Sequence, residues 1–255
     1  MKTLVVIPAR YASSRFPGKP LALLGGKPIV QWVWEGVCDG SADAMVATDD
    51  ERIALAVAGF GGKAMLTSPQ CQSGTDRCGE VLEKLSREGR CGYEVVVNVQ
   101  GDEPFVAPSQ WRSLVEVFAD PQVQIATLRT PIRTTAELLS PNNVKVVADD
   151  NGNALYFSRH PIPYRRGAEP QEWLASGTYY KHVGIYAYRA EVLKELCGLP
   201  VGELEACEKL EQLRWLAAGY RIRVVDTPHA NIGIDTPADL AEAERIVEQK
   251  KDTLR

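Results

Sequence analysis

The sequence has no C-x-x-C pair. Its six cysteines, Cys38, Cys71, Cys78, Cys91, Cys197 and Cys207, are scattered along 255 residues, which disfavours a zinc site or a disulfide frame and fits reduced cytoplasmic thiols. Long apolar runs are missing too, and no charged segment followed by an apolar one stands at the start, so neither membrane insertion nor export is expected. There is no excess of positive charge: the net charge of -4 gives no general attraction to nucleic acid or to an anionic membrane. Two familiar phosphate-binding signatures are absent, since no G-x-x-x-x-G-K-[ST] occurs and no G-x-G-x-x-G follows a strand. Internal repeats, low-complexity tracts and domain-splitting linkers are likewise lacking. The 45% hydrophobic content that remains is enough for a full core in one large domain or two small ones.

What is present begins at Arg10 to Pro20, a loop behind the apolar run Leu4 to Ile7. It packs Arg10, Arg15 and Lys19 with the hydroxyls of Ser13 and Ser14 into one segment. Phosphate oxygens favour charge-assisted hydrogen bonds and backbone N–H groups, and a loop leaving a buried strand can aim both at one point. The plainer reading is a solvated basic loop. Pro17, Gly18 and Pro20 argue against it by restraining the backbone where a solvated loop needs no restraint.

Along the chain, Leu4 to Ile7, Ala44 to Ala47, Tyr93 to Val99 and Ile125 to Leu128 read as strands buried on both faces. Apolar residues at helical spacing lie between them: Ile29, Val30, Trp32, Val33 and Val37, then Val81, Leu82 and Leu85, then Trp111, Leu114, Val115 and Phe118. This alternation predicts an α/β fold, a mostly parallel sheet with helices on both faces. The pattern changes after about residue 140. Val144 to Ala148, a turn at Asp150, Asn151 and Gly152, and Ala154 to Phe157 read as an antiparallel hairpin, a subdomain or oligomer surface. Further on come a strand at Val183 to Tyr188, helices near Ala190 to Cys197 and Leu204 to Ala217, a strand at Arg221 to Val225, and a last helix from Pro237.

Thr236 can cap that last helix, with Pro237 at its first position and Asp239 where a capping-box acid sits. Asp235 then stands just outside the helix. A second acid, Asp102, follows the strand ending at Val99, and in an open α/β sheet the ligand crevice lies beyond the carboxyl ends of the strands. Two carboxylates with a cationic loop suit magnesium-dependent phosphoryl chemistry, because Mg²⁺ takes one or two carboxylates plus phosphate oxygens and waters. Each acid taken alone serves equally well as a turn or capping residue.

Eight segments in order, IPARYASSRFPGKPL (7–21), ATDD (47–50), SGTDR (73–77), NVQGDEP (98–104), FSRHPIPY (157–164), HVGIYAY (182–188), LEQL (210–213) and GIDTP (233–237), closely resemble the 3-deoxy-manno-octulosonate cytidylyltransferase family. That family condenses CTP with the sugar acid 3-deoxy-manno-octulosonate (Kdo), releasing pyrophosphate and supplying CMP-Kdo to lipopolysaccharide synthesis. The resemblance implies a nucleotide-diphospho-sugar transferase-like, Rossmann-type fold. It implies a single domain over residues 1–255, with an antiparallel dimerisation subdomain at about 140–190, in a cytoplasmic homodimer.

By the same resemblance, Arg10, Arg15 and Lys19 embrace the triphosphate, and Ser73, Arg77 and Asp102 join them around the nucleotide. Lys19, Arg15, Asp102 and Asp235 are the catalytic group, with Mg²⁺ on Asp102 and Asp235. Gln100, Arg159, His182, Tyr186, Glu211 and Gln212 fall at sugar-holding positions, Arg159 being the natural partner of the Kdo carboxylate through its planar fork. The expected reaction is in-line attack of the anomeric hydroxyl on the α-phosphorus, with Mg²⁺ bridging the two and lowering the hydroxyl pKa. Ser73 with Asp76 also fits a plain capping box, and His182 a strand-end histidine.

The chain departs from the family pattern at Cys71, where the family usually has histidine. Cysteine lacks the imidazole's donor and charge, so the change marks either an altered preference among Kdo-like acids or a packing change. Two other functions stay open on the sequence: activation of another acid sugar, such as a sialic-type acid or amino-substituted Kdo, and nucleotide-sugar binding without catalysis. The retention of Asp102, Asp235 and Lys19 weighs against the second.

Overall fold

The first apolar run becomes strand β1 (Thr3–Pro8), with Leu4, Val5, Val6 and Ile7 wholly buried, as a strand covered on both faces requires. The structure is a computed structural model and describes residues 1–12, 15–229 and 231–253; Ser13 and Ser14 of the basic loop lie outside the described residues. After β1 come a two-stranded ribbon of β2 (Leu23–Leu24) and β3 (Lys27–Pro28), then α1 (Ile29–Val37), β4 (Asp43–Thr48), α2 (Glu51–Gly59), β5 (Ala64–Leu66), α3 (Gly74–Arg87), β6 (Val95–Asn98) and α4 (Pro108–Glu116). The later elements are β7 (Ile125–Pro131), α5 (Thr135–Leu139), β8 (Lys145–Ala148), β9 (Ala154–Ser158), β10 (Tyr180–Arg189), α6 (Ala190–Cys197), α7 (Glu203–Glu208), α8 (Gln212–Ala217), β11 (Ile222–Asp226) and α9 (Pro237–Thr253).

These elements form two compact units, Met1–Trp111 with Asn231–Arg255, and Arg112–Ala230. In the first unit the strand order is β6-β1-β4-β5, and every pairing is parallel. That arrangement places the loops after β1, β4 and β6 at one end of the strands, the end where ligands of such sheets bind. The α9 start also belongs to this unit. Thr236 and Asp239 cap it reciprocally, the Asp239 N–H donating to Thr236 Oγ1 at 3.3 Å and the Thr236 N–H to Asp239 Oδ2 at 2.8 Å. The same Asp239 oxygen accepts the Asp235 N–H at 3.0 Å, so the cap also fixes the backbone of Asp235.

In the second unit β7 pairs in parallel with β11 and antiparallel with β10, while β8 pairs antiparallel with β10 and β9. The antiparallel β8–β9 hairpin forms where the sequence places it. Asp149 Oδ1 accepts the N–H groups of Asn151 and Asn153, and Gly152 supplies the left-handed turn residue at φ 77°, a conformation that needs no Cβ. The antiparallel region expected at about 140–190 falls within this unit.

One sequence expectation is corrected here. The helix expected over Leu204 to Ala217 is two helices, α7 and α8, separated where Lys209 takes a left-handed conformation at φ 54°. Within the hairpin, Phe157 is wholly buried and packs edge-on to His182 at 5.1 Å. Tyr164 is exposed. Elements α2, β5 and α5 were not expected; α2 is short and capped by Asp50, whose side chain accepts the Arg52 N–H.

Candidate active site

The loop after β1 is pinned on itself just ahead of Lys19. The Gly18 N–H donates to Tyr11 O at 2.9 Å, Gly18 is left-handed at φ 71°, and a Cβ there would stand 3.1 Å from the Tyr11 ring. Only glycine avoids both the conformational strain and the contact. This turn delivers Lys19, almost buried at the start of a 3-10 turn. Lys19 Nζ donates to Asp102 Oδ2 at 2.5 Å and to Asp235 Oδ1 at 3.2 Å, and Arg15 Nη2 lies 3.0 Å from the same Asp235 oxygen.

Asp102 reaches this point because Gly101 lets the chain leaving β6 press against the end of β1. A Cβ on Gly101 would stand 2.6 Å from Pro8 O, and the Gly101 N–H itself donates to that oxygen. The Asp235 segment is tied to the same place by the Ile234 N–H, which donates to Asp102 O at 2.9 Å. Two carboxylates 133 residues apart in sequence therefore share one ammonium.

This cluster opens on a cleft of about 280 Å³ lined by Arg10, Arg15, Lys19, Cys71, Ser73, Arg77, Gln100, Asp102 and Asp235, among others. Ser73 Oγ accepts the Asp76 N–H and Asp76 accepts back, a complete capping box on α3. Arg77 is buried with its guanidinium committed, Nη2 to Asp49 Oδ2 at 2.6 Å and Nη1 to Thr67 Oγ1 at 2.7 Å. Gln100, expected with the sugar group, lies in this cleft and donates to Asn98 Oδ1 at 3.3 Å. Cys71 Sγ lies 3.1 Å from Glu80 Oε2, and burial, with Glu80 beside it, pushes the thiol up to about 11. It stays protonated and donates, which makes it a poor nucleophile.

The remaining expected residues lie in the second unit. Arg159 follows β9, and its guanidinium donates to three carbonyl oxygens, Nε to Glu208 O at 2.7 Å, Nη1 to Pro141 O at 3.0 Å and Nη2 to Lys209 O at 3.4 Å. A guanidinium has five N–H groups, of which two have no hydrogen-bond partner among the described residues. His182 and Tyr186 sit on β10 with ring centres 5.3 Å apart. Burial drives the His182 pKa down to about 3, with Lys181 adding to it, and raises that of Tyr186, with Glu211 adding to it; both are neutral near pH 7. Glu211 lies 3.4 Å from Arg214, and Gln212 is buried at the start of α8.

The sequence profile of the cytidylyltransferase family matches residues 4–222. The 3-deoxy-manno-octulosonate cytidylyltransferase of Phocaeicola vulgatus is 54% identical over 98% of this chain and 99% of its own length. The enzyme of the same name from Geobacter sulfurreducens is 48% identical over 98% of this chain and all of its own. This chain belongs to the 3-deoxy-manno-octulosonate cytidylyltransferase family. A solved structure of CMP:2-keto-3-deoxy-manno-octonic acid synthetase complexed with CTP superposes with a TM-score of 0.88 at 44% identity, covering 98% of this chain and all of that one. The 4-diphosphocytidyl-2C-methyl-D-erythritol synthase of Anaerococcus prevotii, 14% identical with a TM-score of 0.59 over 97% and 96% of the two chains, shares the fold.

The sequence reading passed over several residues around these groups. Asp49 stood inside the quoted ATDD segment, and an acid at the end of a buried strand was the available signal for a partner to Arg77. Lys145 gave less warning: it is wholly buried, its ammonium donating to Ser140 O, Asn143 O and Arg159 O at 2.9, 2.6 and 2.6 Å. A lysine inside an apolar strand was the only hint. Thr127, the polar residue within the run Ile125 to Leu128, gave a similar one.

Proposed function

We propose that this chain transfers CMP from CTP to the anomeric hydroxyl of Kdo, releasing pyrophosphate, in a cleft where Lys19, Arg15, Asp102 and Asp235 meet. It is a nucleotidyltransferase by family, and the observation that carries the assignment of residues is the convergence of two distant carboxylates on one ammonium. Asp102 and Asp235 fit a magnesium ion. Both face the Lys19 ammonium, and Asp235 also Arg15. A pair of carboxylates suits Mg²⁺, which draws its other ligands from phosphate and water. When bound, the ion neutralises phosphate charge and acidifies the attacking hydroxyl.

The protein's own groups do the rest. Arg10, Arg15 and Lys19 take the charge that grows on the departing pyrophosphate, and Lys19, almost buried, does so with little water to screen it. Ser73 and Arg77 border the nucleotide, Ser73 at the N-terminus of α3 and Arg77 through the cleft wall that Asp49 holds in place. For the sugar, the two remaining N–H groups of Arg159 take the carboxylate, while Gln100, His182, Tyr186, Glu211 and Gln212 take hydroxyls. Neutral His182 and Tyr186 suit hydroxyl partners, since neither adds charge beside the carboxylate.

Pyrophosphate release with CTP and magnesium, compared with Kdo, with a sialic acid and with no sugar, tests this reading. Release with Kdo alone is expected. Absence of product with every acid sugar would overturn it in favour of nucleotide-sugar binding. Among the described residues no helix is long and apolar enough to cross a membrane, and an enzyme consuming CTP is placed in the cytoplasm, where that nucleotide is made. We place it there as a homodimer, which light scattering at micromolar concentration checks.

A further inference from the structure

Thr127 is wholly buried in β7, opposite Tyr186 and beside the irregularity in β10 between Val183 and Tyr186. Its Oγ1 lies 2.9 Å from Ile185 O, 3.3 Å from Val183 O and 2.9 Å from His182 Nε2. A hydroxyl has one proton to give. A carbonyl oxygen only accepts, so an approach of 2.9 Å between Oγ1 and Ile185 O is attractive only with that proton between them. Oγ1 is then left with lone pairs toward His182, and this contact is a hydrogen bond only if Nε2 carries hydrogen. Because burial keeps the imidazole neutral, a proton on Nε2 leaves Nδ1 bare. The bond to Thr127 is the ring's sole hydrogen bond among the described residues. Phe157 edge-on at 5.1 Å and Tyr186 at 5.3 Å hold the ring plane.

We propose that Thr127 is a positioning residue: it fixes His182 as the Nε2–H tautomer and so makes Nδ1 an acceptor for a hydroxyl of the sugar acid. This rests on the reading of His182 as a sugar-holding residue. The consequence is a specificity rule. An acid sugar with a hydroxyl at that position satisfies Nδ1, whereas one with a carbonyl or ether oxygen there sets lone pair against lone pair and loses the contact. Valine in place of Thr127 keeps the shape and removes the acceptor, freeing the ring to put its proton on Nδ1.

Imidazole ¹⁵N NMR on histidine-labelled protein tests this, since there are only three histidines, His160, His182 and His229, and His182→Gln assigns the signal. In the unsubstituted protein, His182 is expected to show a bare Nδ1 and a protonated Nε2, unchanged between about pH 6 and 8. Thr127→Val is expected to lose that signature and raise the KM for Kdo about tenfold, the size of one lost hydrogen bond, with the KM for CTP unmoved; Thr127→Ser restores both. A protonated Nδ1 in the unsubstituted protein overturns the proposal even if Thr127→Val does not fold. An unaltered tautomer in Thr127→Val, with His182→Gln still raising the KM for Kdo, overturns the role of Thr127 alone. A KM for Kdo unmoved by His182→Gln overturns the sugar contact and leaves the tautomer assignment standing.

Discussion

Lys19 satisfies two carboxylates at once, so Asp102 and Asp235 are held in place in the free protein by the residue proposed to act beside them. Asp102→Asn and Asp235→Asn remove charge without changing shape, and each is expected to lower kcat by roughly 10²- to 10³-fold, the usual cost of one electrostatic contact to a transition state. Pyrophosphate release at saturating magnesium measures this, with circular dichroism showing the fold retained; near-full turnover in either variant would refute the pairing. Lys145 gives a second, independent test. Burial lowers its pKa from the ordinary 10.5 to about 8, so between those values the unfolded chain binds a proton that the folded chain has lost. Stability therefore rises with pH across that window, by at most about 1.4 kcal/mol per pH unit. Urea unfolding of the unsubstituted protein and Lys145→Met at pH 8 and pH 10 is expected to show stability rising more with pH when the lysine is present, since the opposing contribution of the raised Cys71 thiol is common to both proteins.

The elements that deliver the site differ in how openly their sequences declare them. The α9 start is legible, because Thr236, Pro237 and Asp239 form a local pattern whose hydrogen bonds run within four residues. So is the α3 start, where the capping box accounts for Ser73 and Asp76 without any ligand. The break between α7 and α8 is not: Lys209 adopts a left-handed conformation that glycine or asparagine would have announced, and tertiary contacts, including the Arg159 bond to Lys209 O, accompany it. Gly101 belongs at this scale too. Alanine there would drive a Cβ into Pro8 O, so Gly101→Ala is expected to displace the turn carrying Asp102. The predicted outcome is a fall in kcat of about tenfold or more with a loss of about 1–3 kcal/mol in stability, read by steady-state kinetics and thermal unfolding.

Over the whole molecule the net charge is -4, so attraction for a triphosphate is a local property of the loop after β1. Local attraction among partly exposed cations such as Arg15 is sensitive to screening. Raising the salt from about 0.1 M to 1 M shortens the Debye length from about 10 Å to about 3 Å. This is expected to raise the KM for CTP several-fold and that for Kdo, with a single carboxylate, much less. Steady-state titration of each substrate at the two salt levels measures it; equal shifts would contradict a cationic loop dedicated to the polyphosphate.

The sequence alone determined the α/β alternation, because strand burial, helix caps and turn glycines act over a few residues and leave local patterns; its eight motif segments pointed to the family and, by that resemblance, to residues of the cleft. Tertiary structure decided which of these meet. Asp102, Asp235 and Lys19 share one point, Arg77 is committed to Asp49, and Thr127 orients His182. Those pairings join segments tens to hundreds of residues apart, where no local spacing records which polar group will find which partner.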